Sequence, residues 1–431
     1  MFDFSRRDFF KAASLAAAAG ALAPVAQGAE APKKIAGFGE GSGRATKAVW
    51  QPFTDRKLRV GIAGHGVCKF GGTFGFQLHP NVEVVCVADL QPDCLAELQE
   101  CTGAKRTYRS CEEMIEKESL RKDGMEAVWI ATSAPTHVDL AIMALKHGIH
   151  AASAVPAIFG DDQLDRAPLL MDAVKSSGKQ YAMFETSMFH HDVCAMRQIY
   201  EKGDCGKIVY TEGEYYHFST ASIGSVGSYG GWRENLPPQW YPTHSNAYYT
   251  CVTKGWFTHV VCTGMPSVIK DGYGPKARYG NPYGSESAFF QTSEGGSARM
   301  NVFWDVPRCH GEQGRWWTQR GFTGQGYTGA PPPFFKNGKF ENLSYFPERP
   351  AVPPQMFEWQ KIPGKMSDFF KKYTEHHLGA HPYLTNDFVE ACLKNRAPAV
   401  DAAVALNTTI GGIYAHRSAM KGGERLAIPH V

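Results

Sequence analysis

What the chain lacks narrows its class before anything else does. Its 11 cysteines include no C-x-x-C pair and make an odd total, so neither a structural zinc site nor a disulfide framework is expected. They are scattered through apolar runs (Cys86, Cys94, Cys194, Cys262, Cys392), as small buried hydrophobes are in a protein folded in a reducing compartment. An excess of charge of one sign is missing too: 45 basic residues face 42 acidic ones, a net charge of +3. That balance leaves no footprint for nucleic acid or an anionic membrane surface. Past the first 30 residues no apolar run approaches the roughly 18 residues of a membrane span, so no span is expected in the mature protein. No internal repeat is evident. With 431 residues, 43% hydrophobic and 20% charged, the chain reads as a soluble globular protein of two or three domains at roughly 150 residues each.

What is present begins with the leader. MFDFSRRDFFKAASLAAAAG sets Arg6-Arg7 before Asp8-Phe9-Phe10-Lys11, then an apolar stretch from Ala12 to Val25, then small residues near Ala26 and Gly28. A basic start, an apolar middle and small residues at a cleavage point make an export signal of the twin-arginine kind. A buried N-terminal helix is the alternative. Residues 1–30 are therefore expected to be a signal peptide and residues 31–56, Gly- and Ala-rich without a period, a linker. The mature protein is expected in the periplasm, or otherwise exported through the twin-arginine pathway, whose passengers fold and take up cofactors before crossing.

From Lys57 short apolar runs alternate with helical stretches. LRVGIAG, VEVVCVAD (82–89), AVWIATS (127–133) and IHAASAVP read as strands, and 137–148 and 161–178 as helices. Such alternation predicts an α/β domain over 57–180 with a doubly wound parallel sheet. After Tyr210 the aromatic and turn-rich texture changes to that of antiparallel strands, with a hairpin turning at Glu294-Gly295-Gly296. Residues 181–431 are expected to form a second, α+β domain with a largely antiparallel open sheet. Residues 322–339 read as a Pro/Gly-rich surface connection. Helices over 381–395 and 401–420 close the chain and are expected to pack back on the first domain.

The loop after the first strand offers Gly64-His65-Gly66, with Lys69 where G-x-G-x-x-G would place its third glycine. Standing between a strand and a helix, it suits a pyrophosphate on open backbone amides. Asp89 ends the second strand, where a carboxylate can accept from a ribose diol; no arginine follows it, which favours NAD over NADP. A structural glycine turn and a helix-capping Asp are the plainer alternative. Thr132-Ser133-Ala134-Pro135-Thr136-His137 ends the third strand, at the sheet edge where ligands bind, and taken alone is a helix cap.

The order of strand, glycine loop, Asp89, Thr132-x-Ala134-Pro135-x-His137 and Ala154-Val155-Pro156 resembles the Gfo/Idh/MocA oxidoreductases over nearly the whole mature chain. The resemblance implies an NAD-binding Rossmann domain, and most members carry Glu-Lys-Pro where this chain has Ala154-Val155-Pro156. Trp232-Arg233 and Tyr241-Pro242-Thr243-His244 further resemble the NAD-dependent α-N-acetylgalactosaminidase group. That branch also has V-P in place of K-P, and it cleaves glycosides by oxidising the C3 hydroxyl, eliminating the aglycone, adding water and reducing C3 again. By this resemblance Tyr215, Arg233, Tyr241, Pro242, Thr243 and His244 line a sugar site. His65, Gly66, Asp89, Ala134 to His137, Ala154, Val155 and Thr186 line the cofactor. The chain departs from the group at Ala154, where a Glu is usual, and at Phe189, where a Tyr is usual.

Oxidising a carbinol needs a base of near-neutral pKa, and acidifying the neighbouring C–H calls for a second. Tyr241 and His244, three residues apart, are the candidate catalytic pair, with packing residues as the alternative. His376-His377-x-x-x-His381 could chelate a metal if helical, but Gly379-Ala380 and Pro382 argue for a loop and for substrate hydrogen bonding by His381. Trp316-Trp317 could stack on a sugar, a buried strand pair being the commoner explanation. A tightly held NAD that is reduced and reoxidised within one cycle needs no external pool, which reconciles the leader with the fold. The expectation is an exported redox-cycling glycosidase with a carbohydrate substrate, no metal and a homo-oligomeric state. The alternatives are a sugar oxidoreductase without hydrolysis and a non-catalytic sugar-binding protein.

Overall fold

Six strands form the first sheet, and all but the edge strand over 106–108 are largely buried on both faces, as helices on either side require. They are β1 (Leu58–Ala63), β2 (Val82–Ala88), β3 (Arg106–Tyr108), β4 (Ala127–Ile130), β5 (His150–Ser153) and β6 (Tyr181–Met183), paired in parallel in the order β3-β2-β1-β4-β5-β6. The computed structural model describes residues 49–431 except 67, 204, 219–230, 269–272, 307–309, 321–322, 328–333, 337–338, 342–348 and 373–375. The expected signal peptide and residues 31–48 of the expected linker lie outside the described residues. Strand order reverses between β1 and β4, so the loops leaving these two strands open a crevice at the C-terminal edge of the sheet.

The helices in chain order are α1 (Phe70–Thr73), α2 (Pro92–Thr102), α3 (Cys111–Ser119), α4 (His137–Lys146), α5 (Arg166–Ser177), α6 (His191–Glu201), α7 (Thr243–Thr253), α8 (Lys365–Lys372), α9 (His381–Lys394) and α10 (Ala402–Met420). The glycine loop opens onto a single turn of helix where a full helix was expected. Glycines 71, 72 and 75 give that segment little helical propensity. Phe74 and Phe76 instead turn into an aromatic core with Trp129 and Phe184.

The second sheet, nine strands among the described residues, adds β7 (Ile208–His217), β8 (Phe257–Pro266), β9 (Tyr283–Thr292), β10 (Ser297–Phe303), β11 (His310–Thr318), β12 (Thr323–Tyr327), β13 (Phe334–Lys336), β14 (Lys339–Glu341) and β15 (Leu426–Ala427). The order is β14-β13-β12-β11-β7-β10-β9-β8-β15, antiparallel except where β10 runs parallel to β7. The hairpin at Gly295 joins β9 to β10. The segment 322–339 is not merely a connection: β12 lies antiparallel along β11, its glycines having hidden the two-residue period. Helix α7 lies directly on this sheet, because a side chain at Gly213 or Gly314 would collide with the Ser245 carbonyl or the Tyr248 ring.

Helix α10 wedges between α7 and β8, with Thr408 accepting from Asn246 (2.8 Å) and Ser418 from the Cys262 amide (2.9 Å). Helix α9 returns to the first sheet, where the Thr385 hydroxyl donates to the Phe74 carbonyl (2.7 Å) and Phe388 meets Phe76 and Phe184. The helix expected from His381 is α9, and the loop expected before it is a kinked turn over His376–Gly379. Pro382 sits in the first turn of α9, where the missing N–H costs no hydrogen bond.

Candidate functional site

At the sheet edge the sequence-predicted cofactor residues come together. Gly64 has φ of 89°, and a Cβ there would stand 2.5 Å from the Ala131 carbonyl, so the β1 loop can cross the end of β4 only as glycine. Gly66 differs: at φ of 53° its Cβ would meet nothing within 4 Å, so the chain leaves a cradle there. Asp89 accepts from the His65 amide (Oδ2, 2.8 Å) and the Gln91 amide (Oδ1, 2.8 Å), which pins the glycine loop and leaves lone pairs on both oxygens. The buried His65 ring points away toward α2, with Nε2 3.4 Å from Glu97, whose other oxygen takes Lys69 at 2.8 Å. Burial, with Lys69 beside it, lowers the His65 pKa, so what this residue offers a ligand is backbone.

Thr132 and Thr136 share a hydroxyl contact of 2.7 Å, with Ala134 and Pro135 forming the turn between them. His137 is a clamp. Its ring is buried, with Nδ1 2.9 Å from the Pro156 carbonyl and Nε2 3.2 Å from the Thr132 carbonyl, and it fixes the turn after β4 against the Ala154-Val155-Pro156 loop. Ala154 and Val155 are buried and apolar, so no cation stands in that loop. The Thr186 hydroxyl is buried without a protein hydrogen-bond partner. A Gly66 cradle, the Asp89 carboxylate and an orphaned hydroxyl at the edge of a parallel sheet fit a dinucleotide.

The second domain faces this edge. Tyr241 and Pro242 precede α7, and Thr243 and His244 open it, all buried. The Tyr215 ring, from β7, lies 4.6 Å from His244 and 6.2 Å from Tyr241, and Tyr241 lies 5.6 Å from His244. The Arg233 guanidinium sits 4.2 Å over the Trp232 ring and 5.4 Å from that of Tyr241. Burial raises the Tyr241 phenol pKa, with Arg233 pulling against it, and burial raises that of Tyr215 well above its usual range. Both are neutral hydrogen-bond donors at pH 7.

Two carboxylates absent from the sequence-predicted set decide the state of His244. Glu185, completely buried after β6, meets His244 Nδ1 at 2.9 Å, and Glu312 on β11 stands 3.7 Å away. Burial alone would lower the His244 pKa; the two carboxylates outweigh it and hold it up at about 9. In return burial would raise Glu185, yet the imidazolium holds it at about 2. The near-neutral base expected at His244 is thus a cation, because its acidic neighbours are as desolvated as it is. Ser187 anchors both carboxylates, its amide to Glu185 (2.9 Å) and its hydroxyl to Glu312 (2.6 Å). Glu185 carried one sequence signal, as an acid at the C-terminal end of a parallel strand. Glu312 carried none.

His381 opens α9 with its ring stacked on Phe74 at 3.9 Å and Nε2 2.9 Å from His377 Nδ1; the His377 ring in turn lies 6.2 Å from that of His244. Phe189 is buried against Tyr383. Trp316 is buried and bonds the Tyr248 carbonyl (2.6 Å), while Trp317 is 37% exposed on the opposite face, so the two are a strand pair.

This is a dinucleotide crevice closed by an aromatic, cation-bearing second domain. Residues 58–184 match the model of the Gfo/Idh/MocA oxidoreductase family, NAD-binding Rossmann fold. The chain is 27% identical over 222 residues to a glycosyl hydrolase family 109 protein from Bacteroides fragilis, a match covering 50% of this chain and 46% of that one. It is 27% identical over 252 residues to a family 109 protein from Shewanella pealeana, covering 56% and 53%. The chain therefore spans about half the length of the curated relatives it matches. Among solved structures, an inositol dehydrogenase homolog complexed with NAD+ from Azotobacter vinelandii superimposes with a TM-score of 0.64 at 16% identity, covering 88% of this chain and 98% of that one. The WlbA dehydrogenase from Bordetella pertussis, in complex with NADH and UDP-GlcNAcA, gives 0.63 at 18%, covering 88% and 99%. The chain carries an NAD-binding Rossmann domain within the fold that these solved structures share.

Proposed function

We propose that this protein is an NAD-dependent enzyme acting on a sugar, as a redox-cycling glycoside hydrolase. One observation carries the reading: Tyr241, Arg233 and a protonated His244 converge opposite the crevice, while the Ala154-Val155 loop that would hold a lysine in a plain dehydrogenase holds no charge. The likeness to glycosyl hydrolase family 109 proteins supports the same class. NAD, when bound, supplies the two-electron acceptor and donor for a carbinol. Gly66, Asp89 and Thr186 would hold it. The residues facing it are donors: a guanidinium, two neutral phenols and an imidazolium, a set that stabilises negative charge developing on a sugar oxygen. His244, its Nδ1 engaged by Glu185, presents Nε2 to a departing aglycone oxygen as a general acid. His381 is held inside by Phe74 and His377, so in this reading it supports the site from behind.

Export through the twin-arginine pathway belongs to the same proposal, because an NAD recycled in place needs no pool outside the cytoplasm. Self-association is supported by Phe289 and Trp317, exposed on the open face of the second sheet around Tyr210. No helix among the described residues is long and apolar enough to cross a membrane. A second reading, oxidoreduction between two sugars without hydrolysis, uses the same recycled cofactor, while the apolar burial of Ala154 and Phe189 favours a non-catalytic sugar-binding protein.

The purified protein should release NAD on denaturation, and aryl glycosides turned over in heavy water should yield sugar carrying deuterium at C2. Hydrolysis without that label overturns the cycle. Transfer between sugars with no hydrolysis establishes the second reading.

A further inference from the structure

The turn over Thr186–Phe189 has two sides. One serves the proposed site, through the Thr186 hydroxyl and the Ser187 bonds to Glu185 and Glu312. The other ends in Phe189, and around it stands a group of cations and rings that the proposed site does not use. The Arg197 guanidinium lies 5.9 Å over the Phe189 ring, that ring is stacked 5.9 Å from Tyr383, and the Arg349 guanidinium lies 4.5 Å over Tyr383. Phe357, 45% exposed, meets the Tyr383 ring at 6.5 Å. Phe189 is buried, while Tyr383, Arg349 and Arg197 are half-buried, so the group reaches solvent along Arg349, Tyr383 and Phe357.

The cations there have no counter-charge. Arg197 donates to the Met188 and Cys251 carbonyls (2.9 and 3.5 Å) and to the sulfurs of Met188 and Cys194. Arg349 Nη1 donates to the Leu378 carbonyl (2.9 Å) and at 3.5 Å to that of Phe189. Among the described residues no carboxylate pairs with either guanidinium, and Arg349 Nε is buried without a hydrogen-bond partner. A guanidinium is always charged and carries five N–H donors, so most of Arg349's capacity is unspent. Asp192, at the start of α6, does not neutralise it: burial raises the Asp192 pKa, and the opposing pull comes from His190 rather than from an arginine. His191 registers the excess, since burial lowers its pKa and Arg349 and His190 lower it further, with no acid raising it.

Unpaired positive charge laid over an aromatic stack suits an anion attached to a flat or apolar body. The guanidinium can take a carboxylate or sulfate through two parallel N–H bonds, and the exposed rings can take the body. The patch adjoins the sugar site: Arg349 is bonded to Leu378, the residue after His377, whose ring lies 6.2 Å from that of His244. We propose that Arg349, over Tyr383 and beside Phe357, is a subsite for an anionic group, and that the substrate is a glycoside whose part remote from the oxidised carbon carries a carboxylate or a sulfate. This assignment rests on the sugar-enzyme reading above, but its first test does not.

At fixed ionic strength, benzoate should raise the melting temperature of the NAD-loaded protein more than benzamide does, and Arg349→Gln should remove the difference. Equal shifts from the two compounds, or a benzoate shift that survives in folded Arg349→Gln, overturn the subsite. The second test compares 4-carboxyphenyl with 4-carbamoylphenyl glycosides of the same sugars, which differ in charge and hardly in shape. For the wild-type protein kcat/KM should favour the carboxylate by about 10-fold, as a charge-assisted hydrogen bond gives, and the two should become about equal in Arg349→Gln. The 4-sulfophenyl glycosides separate the two anions: a preference above that for the carboxylate identifies the sulfate, and one below it the carboxylate. If Arg349→Gln misfolds, Arg349→Lys keeps the charge without the fork and must lower the preference; an unchanged preference overturns the assignment. Turnover of no glycoside, charged or neutral, overturns the sugar-enzyme reading instead and leaves the benzoate result to decide the subsite.

Discussion

Replacing Glu185 by Gln removes one charge from a completely buried pair and leaves its shape. His244 sits at about 9 against an ordinary 6.5, and Glu185 at about 2 against 4.5. At about 1.4 kcal/mol per unit, the pairing is worth on the order of 3 kcal/mol, within the range for breaking a buried ion pair. The His244 pKa is raised, so its contribution is complete below about 6.5 and is lost as pH rises through about 9. The Glu185 pKa is depressed, so its contribution is present above about 4.5 and is lost as pH falls through about 2. Wild-type protein should therefore melt at falling temperature as pH climbs from 6.5 past 9. Glu185→Gln should melt lower at pH 6.5, by roughly 5–10 °C, and lose most of that alkaline slope. Histidine NMR should show the His244 titration moving from about 9 to below 7 in the variant, since Glu312 alone stands 3.7 Å away and must work against burial. A His244 that still titrates near 9 in Glu185→Gln would refute the reasoning and transfer the controlling charge to Glu312.

Two further outcomes test the cofactor edge. Gly64→Ala, whose Cβ would stand 2.5 Å from a carbonyl at φ of 89°, should cost several kcal/mol and abolish bound NAD, while Gly66→Ala, at φ of 53° with open space, should cost only about 1–2 kcal/mol in thermal unfolding. Asp89→Ala removes the acceptor for the His65 and Gln91 amides along with the ribose contact, and should weaken NAD by roughly 10–100-fold, read by extraction and by titration of the stripped protein.

The alternation of β-branched runs and helical stretches made the parallel sheet legible, because buried parallel strands need continuous apolar sequence and little else. Gly64 and Asp89 were legible for a similar reason: local backbone demands tie them to a strand end. The strand at 323–327 was not, since it is held by backbone pairing to β11 and its glycines carry no period. The helix from His381 was legible, since the Gly-Ala before it and Pro382 in its first turn suit a helix N-terminus. The site was half legible. Tyr241, Arg233 and His244 stood in recognisable strings, but the protonation of His244 depends on Glu185 and Glu312, 59 and 68 residues away in sequence, and no local pattern brings them to one ring.

That hidden pair changes what the missing lysine means. With Val155 apolar and buried, the positive charge beside the crevice is carried by Arg233 and His244 of the second domain. Two cations there face two carboxylates, so the site is close to neutral overall, yet the carboxylates lie behind His244 and the donors point forward. Such an arrangement stabilises a developing oxyanion, and these donors themselves accept no proton at pH 7. A dehydrogenase could stop there if solvent took the proton from the carbinol. A reaction that also breaks a C–H bond could not, because carbon acids do not yield to water at useful rates. The donor set alone therefore fits simple oxidoreduction, and elimination needs a proton acceptor in addition to it.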